Sequence, residues 1–179
     1  MKLLAAAALV MGLVVAPPSA PRAVTVRAGA DAATGFVVGD GRVLTVAHVL
    51  GPHVRVDGRA ARLLRRDDRL DLALLAVPGV RGEAPRIASR DPRIVRRADA
   101  RVDGSGWRRP VLELRTEVED GDSGSPVVAS DGRLVGVVFA RSRVREGVAW
   151  AVDASDPAFV DFVGLGLTKS TTARAYPGR

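Results

Sequence analysis

The sequence has no cysteine among its 179 residues. Disulfides are therefore excluded even for an exported chain, and so are a thiol nucleophile and thiolate metal sites. Aromatic residues make up only 4%, so a core has to be assembled from Val, Leu and Ala. Histidine occurs twice, at His48 and His53. With one of them assigned to catalysis, a His-rich zinc site is not expected, and no cofactor is called for. Lysine occurs only at Lys2 and Lys169. The formal net charge of +7 is thus almost wholly arginine, scattered and mixed with aspartate. A nucleic-acid reader would gather that charge into a stripe with interleaved aromatics, so nucleic acid is not an expected partner. Beyond residue 23 there is no spanning apolar run, no internal repeat and no heptad pattern.

What is present begins with "MKLLAAAALVMGLVVAPPSAPRA". Lys2 precedes an apolar run from Leu3 to Val15, then small residues and prolines, the pattern of a secretory signal. The expected signal covers 1–23, with Ala16, Ala20 and Ala23 as cleavage positions; Ala16 and Ala20 are each followed by proline. An uncleaved anchor over residues 3–16 is the alternative, although the run is shorter than the roughly 18–20 residues of a spanning helix. The expected location is secreted or extracytoplasmic, with membrane contact only if this segment is retained. The remainder is one domain in length, 24–163, followed by a polar, basic and flexible tail, 164–179.

After the leader the apolar runs are short. "TGFVVGDGRVLTVAHVL" holds two of them around Asp40-Gly41, a hairpin signal. Further turns are expected at Asp57-Gly58 and Asp131-Gly132, and "DLALLAVP" is stopped by proline. Many short strands at even spacing predict an all-β barrel or sandwich. One helix is expected in "SDPAFVDFVGL", with Ser155 or Asp156 as N-cap, Pro157 in the first turn and Gly164 at the end. Residues 80–100 are Arg-rich and read as a link between two halves.

Three positions bear chemistry. His48 ends a strand-like run, whereas His53 follows Pro52 in a turn and reads as a surface residue. Asp71 opens a buried run; it could cap a turn or pair with Arg65, Arg66 or Arg69, but a buried aspartate is also what orients a catalytic imidazole. Ser123 lies in Gly121-Asp122-Ser123-Gly124. Glycines on both sides permit a sharp turn, and the N–H groups of Gly121 and Ser123 could converge on one oxyanion. The chain order His48, Asp71, Ser123 is that of the chymotrypsin-like β-barrels. The alternative elbow G-x-S-x-G fails, because Ser125 stands at its last position.

These stretches resemble the trypsin-like serine proteases of the chymotrypsin fold, most of all bacterial HtrA-type and MarP-type protease domains. "TGFVVGDGRVLTVAHVL" is similar to the segment leading into the catalytic histidine, "DLALLAV" to that carrying the aspartate, "EVEDGDSGSPVVASDGRLVGVVFA" to the nucleophile loop and "EGVAWAV" to the last barrel strand. The resemblance runs from about residue 34 to 153 and is weak between about 80 and 108. It implies two six-stranded antiparallel barrels, about 27–82 and 95–153, with a short C-terminal helix. It implies His48 as general base, Asp71 as its orienting partner, Ser123 as nucleophile, and Gly121 and Ser123 as oxyanion donors. Glu117, Ala140 and Gly147 are the expected substrate-pocket positions, a polypeptide the expected substrate, and the oligomeric state stays open.

Departures accompany the resemblance. Ser125 replaces the second glycine of GDSGGP, and Asp122 is charged where HtrA relatives have asparagine. A buried Asp122 needs a partner: Arg101, Arg108 or Arg109 for a constitutively competent enzyme, or a newly cut N-terminus for a zymogen. A silent peptide- or partner-binding protein and an esterase are the competing functions.

Overall fold

Two-residue turns and short β-branched runs build the first half of the chain. The computed structural model describes residues 20–101 and 106–164. β1 (Ala23–Ala28), β2 (Asp31–Gly39) and β3 (Arg42–Val46) form an antiparallel meander. The β2–β3 turn falls at Asp40-Gly41, where Gly41 takes φ 68°, a backbone region open to glycine at no steric cost. β4 (Arg55–Val56) and β5 (Arg59–Ala60) flank Asp57-Gly58, both at positive φ, as a type I′ turn requires. β6 (Arg62–Asp67) and β7 (Leu72–Ala76) complete a seven-stranded sheet in the order β5-β4-β1-β2-β3-β7-β6.

The second sheet contains β8 (Ile94–Ala100), β9 (Arg109–Arg115), β10 (Pro126–Val128), β11 (Leu134–Arg141) and β12 (Val148–Asp153). Its order is β10-β11-β12-β9-β8, antiparallel throughout. The all-β class follows the strand pattern, but the division is seven and five strands rather than six and six. The Asp57-Gly58 turn closes a small hairpin of its own. Residues 77–93 contain Pro78, Pro85 and Pro92 and form no strand, only a single bridge from Ile87 to Leu134. Proline has no N–H to give to a ladder.

Apolar side chains gather in three clusters. Val24, Val26, Val37, Val43, Val56, Leu75 and Val77 fill the first sheet's own interior. Leu112, Leu114, Val127, Val135, Val138 and Ala151 do the same for the second. The largest cluster joins both sheets, with Phe36, Leu44, Leu72 and Leu74 from one and Val111, Leu134, Val137 and Phe139 from the other. β2, β3 and β7 are therefore buried on both faces, which is why they read as unbroken apolar runs. Each fully buried Leu or Phe contributes about 2–3 kcal/mol.

The helix α1 (Pro157–Val163) seals that joint cluster with Phe159, Phe162 and Val163. Asp156 is its N-cap, accepting from the Ala158 N–H at 2.9 Å, and Gly164 ends it at φ 73°. The expected signal lies outside the described residues except for its last four, and the expected tail lies outside them except for Gly164. Ala23, the last residue of the expected signal, is the first of β1 and pairs with Phe36. Among the described residues no helix is long and apolar enough to cross a membrane.

Candidate active site

Strand register brings His48 to Asp71. β3 and β7 pair Val46 with Leu72, and one step further the Ala47 N–H donates to the Asp71 carbonyl at 3.0 Å. The His48 backbone N–H then donates to Asp71 Oδ1 at 2.9 Å, and His48 Nδ1 lies 2.7 Å from Oδ2. A carboxylate only accepts, so Nδ1 carries the proton and the Nε2 lone pair is left for another partner. Asp71 sits at φ 58°, a left-handed conformation that costs a non-glycine residue about 1 kcal/mol or more. The turn before it is held by Asp67, whose Oδ1 accepts from the Leu70 N–H at 2.9 Å.

Asp71 is buried, and a cation shares its carboxylate with the imidazole. Arg109, the first residue of β9, is 1% exposed. Its Nη1 lies 3.4 Å from Asp71 Oδ2, and its guanidinium lies 5.0 Å from the centroid of the Phe139 ring. Sequence reasoning offered Arg109 only as a partner for Asp122. A run such as "WRRP" ordinarily reads as solvated, and nothing local marks its second arginine as buried.

Ser123 lies between β9 and β10, on a loop clamped to the first sheet. The Thr34 N–H donates to the Ser123 carbonyl and Thr34 Oγ1 to the Gly121 carbonyl, each at 2.9 Å. Thr45 Oγ1 in turn donates to the Thr34 carbonyl at 2.7 Å. The two glycines do different work. Gly121, at φ 99°, borders open space, whereas a Cβ on Gly124, at φ 90°, would stand 1.9 Å from the Thr34 carbonyl oxygen. Gly124 is thus required by close packing on β2. The N–H groups of Gly121 and Ser123 donate to no acceptor among the described residues.

Asp122 departs from expectation. It is half-buried, and its Oδ2 accepts from the Glu119 N–H of its own loop at 2.8 Å. Arg108 pairs instead with Asp99 at 3.4 Å. A three-residue loop reach satisfies the carboxylate locally.

Ser123 and His48 line different cavities that share residues of β11. Ser123 lines a cavity of about 950 Å³ with Gly121, Glu117, Ala140 and Gly147 among its walls. His48 and Asp71 line a second cleft of about 370 Å³ with Arg66, Asp68, Trp107 and Arg109. Phe139 and Ala140 belong to both. Among the described residues no hydrogen bond joins the Ser123 hydroxyl to His48. His53 is exposed in its turn, at φ 59°.

The larger cavity is ringed by charge. Arg141 pairs with Asp120 at 3.3 Å, and Arg145 with the buried Glu113 at 2.5 Å. Arg145 and, more weakly, Arg96 hold the Glu113 carboxyl below the usual carboxylate range against the opposing effect of burial. Arg145 also lies 5.7 Å from the Trp150 ring centroid. Glu117, Glu119, Glu146 and Arg143 form no ion pair among the described residues.

No protein-family model matches the chain. Serine protease Rv3671c of Mycobacterium tuberculosis (strain ATCC 25618 / H37Rv) is 31% identical over 139 residues, covering 59% of this chain and 35% of that protein. The chain thus spans about a third of the length of the curated relatives it matches. The crystal structure of the active form of Rv3671c protease from M. tuberculosis has a TM-score of 0.67 at 24% identity, covering 83% of this chain and 82% of that one. The chain is similar in sequence to a serine protease and shares the fold of proteases of that kind. HtrA-type protease AlgW, solved with a tripeptide, has a TM-score of 0.64 at 19% identity, covering 76% of this chain and 57% of that one. The two sheets are the two halves of the chymotrypsin-like double barrel shared by proteases of the HtrA and MarP kind. His48 and Asp71 come from the first half of this protease fold and Ser123 from the second.

Proposed function

We propose that the protein is an exported serine endopeptidase that hydrolyses polypeptides through His48, Asp71 and Ser123. The observation that carries this reading is the 2.7 Å contact of His48 Nδ1 with Asp71 Oδ2; a serine loop whose Gly121 and Ser123 N–H groups are unengaged among the described residues accompanies it. His48 Nε2 takes the proton of Ser123 Oγ as that oxygen bonds to the scissile carbonyl carbon. The carbonyl oxygen becomes an oxyanion between the two N–H groups, each such donor contributing about 3–4 kcal/mol in the transition state. The C–N bond then breaks, and His48 Nε2–H protonates the leaving amine. Water hydrolyses the ester left on Ser123 by the same route in reverse, with His48 again as base.

The missing Ser123–His48 hydrogen bond is the one observation that favours a silent peptide- or partner-binding protein. Serine and base are often too far apart in a ligand-free site and close up on the substrate, so the gap does not outweigh the pairing of His48 with Asp71. Glu117, Glu119 and Glu146 outnumber Arg143 once the paired charges of the cavity are set aside. That balance favours a basic side chain in the cavity beside Ser123. Export rests on Lys2 and the apolar run from Leu3 to Val15.

A fluorophosphonate probe tests the assignment on purified protein beside Ser123→Ala and His48→Ala. Labelling that disappears in both variants is the expected result. A folded wild-type protein that takes no label, with or without removal of the N-terminal segment, would establish the silent binder.

A further inference from the structure

We infer that Arg109 is a positioning residue, holding the Asp71 carboxylate in the orientation that aims His48. The inference rests on the serine-protease reading above and adds to it a fourth side chain.

Asp71 divides its two oxygens. Oδ1 accepts the His48 backbone N–H, and Oδ2 faces both the imidazole and Arg109 Nη1. The Asp71 side chain is 9% exposed and that of Arg109 1%, while the imidazole is 48% exposed. The buried end of the assembly is therefore the Arg109–Asp71 contact, and His48 is its solvent-facing end. An imidazole that exposed is not held in place by packing. Its direction depends on the carboxylate, and the carboxylate depends on what fixes it from the protein side.

The remaining charges of the cleft cannot do this. Arg66 Nε is engaged with Asp68 Oδ1 at 2.6 Å, and both are exposed. Asp67 caps the Leu70 N–H. Among the described residues Arg109 alone is a buried cation within ion-pair distance of Asp71, and its guanidinium is steadied by the Phe139 ring. Phe139 walls the cavity of Ser123 as well as the cleft of His48. Through Phe139, Arg109 thus ties the orientation of the His–Asp pair in the first sheet to a strand of the second sheet that also walls the cavity of Ser123.

A guanidinium that only neutralises a buried charge would change stability without moving the imidazole. The two roles separate by proton NMR of the full chain carrying Ser123→Ala, following the downfield Nδ1–H signal of His48. His53→Gln assigns that signal, since the chain holds no third histidine. Arg109→Met is expected to abolish the signal while circular dichroism stays unchanged, and Arg109→Lys to restore part of it. In the chain with Ser123 intact, Arg109→Met is expected to slow fluorophosphonate labelling about 10- to 100-fold, the scale of a misplaced catalytic group. If Arg109→Met does not fold, Phe139→Leu serves instead, with both charges kept and an expected loss of about two- to fivefold for removing the ring.

A folded Arg109→Met protein with the His48 signal and the labelling rate unchanged would overturn the inference, and so would an unchanged Phe139→Leu if that variant carries the test. A wild-type chain that takes no label, but whose His48 signal still depends on Arg109, would sink the protease reading and leave the positioning role standing.

Discussion

The two halves of the site are held by different kinds of force. In the proposed site His48 and Asp71 are fixed by bonds of 2.7 and 2.9 Å to each other and by buried charge, with Asp71 3.4 Å from Arg109. Ser123 is fixed by its backbone: Thr34 grips two carbonyls of the loop, and Gly124 presses against β2 where no Cβ fits. A base has to be aimed through its own side chain, because its ring is what turns. A nucleophile with two backbone donors beside it has to be aimed by setting the chain itself. Substitutions should therefore act on the first half through polar side chains and on the second through steric bulk.

The largest expected effect treats both halves alike. Ser123→Ala or His48→Ala should each lower peptide or ester turnover by about 10⁴-fold or more, with circular dichroism unchanged; a loss under tenfold in either would break the assignment of that half. Gly124→Ala comes next and separates them. A Cβ 1.9 Å from the Thr34 carbonyl, at φ 90°, should cost about 3 kcal/mol or more of stability, read by denaturant unfolding. An unperturbed Gly124→Ala protein would mean that the loop does not rest on β2.

Thr34→Val sharpens the comparison further. It keeps the backbone N–H to Ser123 and removes only the hydroxyl bond to the Gly121 carbonyl. A stability loss of about 1 kcal/mol should accompany a roughly tenfold fall in labelling rate, the cost of a mis-set oxyanion donor. Stability lost without any change in labelling would show that Thr34 does not set the N–H pair. Glu117→Gln should reduce the preference for a basic side chain before the scissile bond by about two- to fivefold in a substrate panel, since one exposed charge contributes about 1 kcal/mol or less.

The smallest effect concerns Glu113, away from the reacting atoms. Its carboxyl is held below the usual range by Arg145 and Arg96, so its contribution to stability is present above the ordinary carboxylate range and is lost as pH falls through its lowered value. Thermal melts of wild type and Glu113→Gln should differ most near neutrality and converge in acid. A gap that widens as the pH drops would contradict the sign of that shift.

His48 and Asp71 are 23 positions apart, each at an end of a run whose antiparallel pairing is set by local pattern and turns. Their partnership was anticipated from the order of His48, Asp71 and Ser123 and from the resemblance of their segments to serine proteases. The helix was equally legible, from Asp156, Pro157 and Gly164, because caps act within a few residues. The strand count was not. Whether a two-residue hairpin at Asp57-Gly58 adds to the first sheet, or a proline-bearing segment at 77–93 adds to the second, depends on neighbours far along the chain. Asp122 was misread for a related reason: its burial was assumed, and a half-buried carboxylate found the Glu119 N–H three residues away.

By itself, then, the sequence determined the short strands, their turns, the capped helix and the order of histidine, aspartate and serine, since periodicity, turn chemistry and capping are short-range. Only the tertiary structure decided that Arg109 lies against Asp71, that Thr34 grips the serine loop and that Phe139 lines both clefts. The arginine and threonine contacts join residues 38 to 89 positions apart, and no local rule selects one distant arginine or threonine from the others. Burial does, by removing the water that would otherwise satisfy each polar group and leaving only the partner that the packed sheets bring within reach.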